Sequence, residues 1–172
     1  MSGKMSVFIS HNREDREKAD QLSALVAASG VKTYYETGDI YGQKGWPLKV
    51  GERIASAPYF VLIWSERAAL SHIIEFEWNI ARLMRRNMLV WRLDETKMPE
   101  LLEKSAAVFE EDLQGISDAA RNASSDESKP KDQAAVAEIV KKLHRFNETK
   151  PAQVTRKMRI VFFKSRIANP TF

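Results

Sequence analysis

"YFVLIWS", residues Tyr59 to Ser65, is an unbroken run of six apolar and aromatic side chains closed by a serine. A strand with one wet face alternates polar and apolar residues, whereas a strand covered on both faces reads as continuous hydrophobicity. The run is too short for a buried helix and is rich in β-formers, so it is predicted to be a central parallel strand. Working outward, "WPLKVGERIASA" (46–57) precedes it with helical spacing and Pro47 in the first turn, and a helix over roughly 70–86 follows it. "NMLVWRLD" (87–94) is the next strand. Upstream lie "MSVFIS" (5–10) as a first strand, a helix with Ala19, Leu22, Leu25 and Val26 in register and Gly30 as its stop, "VKTYY" (31–35) as a second strand, and the Gly-rich loop "ETGDIYGQKG". Downstream lie "TKMPELLEKSA" as a loop with a helical turn, "AVFEED" as a weaker fifth strand, the polar segment "RNASSDESKPKDQ" (121–133), and the amphipathic helix "QAAVAEIVKKLHRF" (133–146).

Five strands alternating with helices predict an α/β, flavodoxin-like three-layer fold with a five-stranded parallel sheet in the order 2-1-3-4-5. The domain is expected over residues 1–146, with 147–172 as a basic linker or tail that leads into a further module. In such sheets ligands bind beyond the carboxyl ends of the strands, where the strand order reverses. That crevice, between strands 1 and 3, would be rimmed by "SHNR" (10–13) and "SERAAL" (65–70).

The 172 residues carry 44% hydrophobic and 29% charged side chains, ordinary for a folded domain. There is no cysteine, which excludes disulfides, thiolate metal sites and a cysteine nucleophile. His11, His72 and His144 show no metal-ligand spacing. The N-terminus lacks a signal-peptide apolar core, and no run approaches the roughly 20 apolar residues of a membrane span, so a cytoplasmic protein is expected. On that footing the sequons at Asn122 and Asn147 are chance matches. The net charge of +4 is a tail property: from Asn147 onward six Lys/Arg face one acid, and removing them from the totals of 27 and 23 leaves 21 basic and 22 acidic residues. A nucleic-acid-binding body is not implied.

"SHIIEFEWNIA" (71–81) sets two glutamates two positions apart. At about 100° per residue they point to opposite sides of a helix. Leu70, Ile73, Ile74, Glu77, Ile80, Ala81 and Met84 share one side, and Ser71, His72, Glu75, Asn79, Arg82 and Arg86 the other. Glu75 is thus a solvated charge, while Glu77 stands in the apolar stripe, where an unpaired carboxylate costs several kcal/mol or is protonated. Two readings stand: Glu77 is paired with a buried Arg or backbone donor, or the stripe looks into the crevice and Glu77 meets a ligand there.

At this point the chain resembles a TIR domain (Toll/interleukin-1 receptor/resistance) over residues 5–146. "VFISHNRED" is similar to the family's first strand and its loop. "YYETGDIYGQKGWPLKVGERIASAPYFVLIWS" is similar to the second strand, long loop, short helix and third strand. Ser71 six residues before Glu77, and "NMLVWRLD", complete the pattern. The resemblance implies an enzyme, an NAD+ glycohydrolase, in which Glu77 is the catalytic residue, with NAD+ as substrate and no further cofactor. It implies substrate-binding positions at Ser10, His11, Asn12, Arg13, Lys44, Gly45, Trp46, Ser71 and Ile73. Arg13 is either a pyrophosphate partner or a solvated loop residue, Lys44 likewise, and Trp46 either stacks on nicotinamide or packs in the core. The sequence departs from the family at Ile73, where bacterial members often carry Trp; Trp78 stands beside the glutamate instead. The resemblance further implies self-association with other copies, a composite site, a sensor module in the same or a partner chain, and a role in immune or antiphage defence. The alternative is a non-catalytic scaffold for TIR–TIR contacts.

Overall fold

A computed structural model describes residues 6–34, 41, 43–110, 113–121 and 133–148. Five parallel strands form one sheet: β1 Ser6–Ser10, β2 Lys32–Tyr34, β3 Tyr59–Trp64, β4 Asn87–Arg92 and β5 Ala106–Glu110. Their order is β2-β1-β3-β4-β5, as the alternation of elements predicts. The helices are α1 Arg16–Ala28, α2 Trp46–Ser56, α3 Glu66–Ala69, α4 His72–Leu83, α5 Glu100–Ser105, α6 Leu113–Arg121 and α7 Gln133–Glu148.

All six residues of β3 are buried, because β1 and β4 flank it and helices cover both its faces. The two-residue period of the strands sorts the core into two layers. Phe8, Phe60, Leu62, Trp64, Met88 and Val90 pack under Val50 and Ile54 of α2, Ile74 and Ile80 of α4, and Val136 and Val140 of α7. Val7, Ile9, Val61, Ile63, Leu89 and Trp91 pack under Ala19, Leu22 and Val26 of α1 and Ile116 of α6. On the first side α2 and α7 approach closely at Gly51, where a Cβ would stand 2.6 Å from Val140 Cγ2.

Four details differ from the sequence expectations. The helix expected over 70–86 is α4, and a separate short helix, α3, precedes it in the segment expected only to rim the crevice, because Ser65 caps α3 by accepting from Ala68 N and Ser71 caps α4 by accepting from Ile74 N. Leu70 sits between the caps and is 50% exposed, so it does not belong to the buried stripe, whereas Phe76 and Trp78 do. Arg86, assigned to the wet side, lies beyond α4 and is buried, its Nη1 donating to Ala55 O and Ala57 O at the end of α2. Helix α6 has no counterpart among the expected elements; Ile116 is its fully buried anchor among the described side chains, and one anchor makes no period. The tail expected over 147–172 lies outside the described residues from 149 onward, as do loop residues 35–40 and 42.

Candidate functional site

Ser10 ends β1 and is 1% exposed. Its Oγ donates to Glu77 Oε2 at 2.5 Å. Glu77 reaches this point because α4 begins after β3 and runs back across the first helical layer, so its stripe faces the carboxyl end of β1. The second oxygen of Glu77, Oε1, accepts from the hydroxyl of Tyr41 in the segment between β2 and α2. Glu77 is thereby 2% exposed and hydrogen-bonded on both oxygens. Burial pushes its pKa from 4.5 up to about 7, and the two hydroxyl donors, by favouring the anion, pull the other way. The same burial, reinforced by the Glu77 charge, raises the Tyr41 phenol well above its ordinary value, so it stays a donor at all physiological pH. The carboxyl is a poised group: near neutrality it exists both as anion and as acid.

Trp46 opens α2 behind Gly45, whose φ of 79° places the turn in the left-handed region that glycine adopts freely. The indole stands edge-on to Tyr41 at 5.4 Å and edge-on to Phe76 at 5.2 Å. Trp46 therefore meets the Glu77 site through Tyr41. Tyr41 itself was absent from the sequence-predicted residues. It is one of several polar side chains in a Gly-rich loop, and nothing in the spacing singles out the one that folds back onto α4.

The other predicted positions divide. His11 follows β1, half-buried, and burial lowers its pKa, partly offset by a hydrogen bond with the Ile9 backbone. Asn12 Oδ1 accepts from Glu14 N at 3.0 Å and Nδ2 donates to Arg67 O at 3.3 Å, so it caps the turn Arg13–Asp15 and ties it to α3. Arg13 and Lys44 are exposed, and among the described contacts neither touches Glu77. Ser71 and Glu75 face a small cleft of about 130 Å³ with Trp64, Ala68, Ala69, Trp78 and Pro99, on the side of α4 away from Glu77. Ile73 is half-buried at the start of α4. A larger cleft of about 340 Å³, between the ends of β4 and β5, is lined by Arg92, Leu93, Asp94, Glu95 and Glu110; neither cleft includes Glu77.

A second buried pair stands nearby. Ser65 Oγ donates to Asp15 Oδ2 at 2.5 Å while accepting from Ala68 N. Arg67 Nε meets Glu14 Oε2 at 2.6 Å, and Asp94 accepts from Glu66 N and Thr96 N at 2.9 Å each. These contacts link the loops after β1, β3 and β4 into one braced rim. From the segment after β2, the Tyr41 hydroxyl reaches Glu77 and the Tyr41 ring meets Trp46.

The family model for the TIR domain matches residues 7–129. No curated protein matches. Among solved structures, the chain is similar to a CMP N-glycosidase of Clostridium botulinum at 15% identity and a TM-score of 0.49, covering 64% of this chain and 96% of that one. It is also similar to a protein of Burkholderia pseudomallei described as pilus assembly-related, at 13% identity and a TM-score of 0.49, covering 77% of this chain and 97% of that one. Among the described residues no helix is long and apolar enough to cross a membrane.

Proposed function

This chain belongs to the TIR domain family, and on that premise we propose that it hydrolyses the N-glycosidic bond between nicotinamide and ribose in NAD+, with Glu77 as the catalytic residue. One observation carries the reading: a buried carboxyl, 2% exposed, stands at the carboxyl end of β1, where open parallel sheets bind their ligands. A purely structural stripe would place an aliphatic side chain there.

In the proposed reaction the C1′–N bond breaks and its electron pair stays on the nicotinamide nitrogen. Nicotinamide leaves neutral, so no general acid is required. The Glu77 anion holds ribose hydroxyls and stabilises the positive charge that develops at C1′. Water adds to C1′ and loses its proton to solvent, giving ADP-ribose; capture by an internal nucleophile gives a cyclic isomer. Ser10 orients the carboxylate by its hydrogen bond to Oε2. In this reading His11, Asn12, Arg13, Lys44, Gly45, Trp46 and Ile73 hold the rest of the dinucleotide, while Ser71 serves as the cap of α4. Assembly of several copies, a sensor module and a place in immune defence inside the cell belong to the same reading.

The experiment is nicotinamide release from NAD+ by artificially clustered protein, beside Glu77→Gln and Glu75→Gln. Wild type should turn over, Glu77→Gln should fall by about 10² to 10³-fold, and Glu75→Gln should stay within twofold. Silence from the clustered wild type sinks the enzyme reading. A second reading, a scaffold that only binds other TIR domains, draws on the fact that both Glu77 oxygens are satisfied internally. It predicts self-association without turnover.

A further inference from the structure

Each oxygen of Glu77 carries a hydroxyl donor, Ser10 on Oε2 and Tyr41 on Oε1, and the group is only 2% exposed. With the carboxyl covered in this way, a substrate sugar reaches it by displacing one of the two side chains that cover it. The two donors are held very differently. Ser10 is part of β1, paired in register with Leu62 of β3, and its backbone cannot leave without breaking the ladder. Tyr41 belongs to the segment after β2 and is steadied by ring edges, Tyr41 on Trp46 and Trp46 on Phe76, at 5.4 and 5.2 Å. Edge contacts between rings are weak, about 0.5–1.5 kcal/mol each beyond the area they bury, against the strand pairing that holds Ser10.

We infer that Tyr41 is a positioning residue whose hydroxyl holds the place of a sugar hydroxyl on Oε1 of Glu77, and that a ribose-bearing substrate enters by exchanging its own hydroxyl for the phenol. The inference rests on the NAD+ reading for the identity of the sugar. The exchange is hydroxyl for hydroxyl, so the buried carboxyl is never left with an unpaired oxygen, which is the arrangement that would be costly. Ser10 stays in place and keeps the carboxylate aimed through the exchange. The phenol is well suited to the role, because burial keeps it protonated and therefore a donor. Trp46 then acts on the site by holding the Tyr41 ring, and its indole is uncovered when the ring leaves.

Removing the hydroxyl removes the competitor. Losing one hydrogen bond, worth about 1 kcal/mol net, tightens sugar binding by roughly fivefold to tenfold. In Tyr41→Phe the KM for NAD+ should fall by that factor, with kcat within twofold of wild type. A second readout needs no turnover: labelling of Glu77 by a water-soluble carbodiimide and an amine, read by mass spectrometry of the peptide. Labelling should be at least about fivefold faster in Tyr41→Phe, and faster also in Trp46→Leu, which keeps the hydroxyl but loosens the ring; Trp46→Leu carries the test if Tyr41→Phe does not fold. Unchanged labelling in the folded variants overturns the inference. So does a fall in kcat at constant KM, which would make the phenol part of the chemistry. Faster labelling with no nicotinamide release from clustered wild type would sink the NAD+ reading alone. Binding of ADP-ribose then decides the exchange: a Kd lower in Tyr41→Phe by the same factor upholds it, and an unchanged Kd overturns it.

Discussion

Glu77→Gln keeps the shape of the side chain and removes its ionisation, so it isolates the energetic consequence of burying an acid. In the folded protein the Glu77 carboxyl is pushed from 4.5 up to about 7. The native state therefore binds a proton more tightly than the unfolded chain does. Between those two values the native state holds more protons, and stability falls as pH rises. Well above pH 7 the full difference is felt: at about 1.36 kcal/mol per pH unit, the rise amounts to about 3 kcal/mol against folding. At pH 5 the same linkage leaves about 1 kcal/mol. The stability of Glu77→Gln relative to wild type should thus improve by about 2 kcal/mol between pH 5 and pH 8. The amide repairs its contacts at a cost that does not depend on pH: its oxygen accepts from one hydroxyl and its NH2 donates to the other hydroxyl oxygen. His11 and every other titrating group is common to both proteins and cancels in the difference. Urea unfolding followed by the fluorescence of the four tryptophans, at pH 5, 6, 7 and 8, gives the comparison. A difference that stays flat, or that shifts against the glutamine variant with rising pH, would refute the assignment of Glu77 as an acid strained by burial.

Because the proposed chemistry uses the anion, nicotinamide release should rise with pH from 6 to 8, with its midpoint at or below about 7, since the cationic nicotinamide ribose favours ionisation; a rate that falls over this range contradicts the role. Gly51→Ala places a methyl 2.6 Å from Val140 Cγ2, and the displacement of α7 should outweigh the gain in helix propensity, leaving a net loss of about 1–2 kcal/mol in urea unfolding and faster amide exchange in α7. Ser65→Ala removes both the bond to Asp15 and the cap of α3, and should cost about 2–3 kcal/mol, read as a lower unfolding midpoint.

The sheet order was legible in the chain because it depends on local signals. Alternation of strand and helix patterns fixes a parallel sheet, and the unbroken hydrophobicity of Tyr59–Trp64 marks the strand that is covered on both faces. The identity of Glu77 as the odd residue of α4 was legible for the same reason, since helical phase is set by the backbone. Helix α6 was not, because its burial rests on Ile116 in a polar, small-residue run. Nor was the short helix α3 before Leu70: Ser65 caps α3 and Ser71, six residues on, caps α4, and a capping serine looks the same as a surface serine until the backbone donors are located.

The candidate site divides along the same line. The sequence by itself determined that a carboxyl would lie in the apolar stripe of α4, and left open whether it would meet a buried partner or the crevice at the sheet end. Which hydroxyls would hold that carboxyl depended on the fold: Ser10 and Glu77 are 67 residues apart and Tyr41 and Glu77 are 36 apart. The raised pKa depended on it equally, since desolvation is the sum of everything packed around the group. Periodicity reports which way a side chain points relative to its own helix. What it meets there is set by segments remote in the chain, and only tertiary packing brings them to within hydrogen-bond distance.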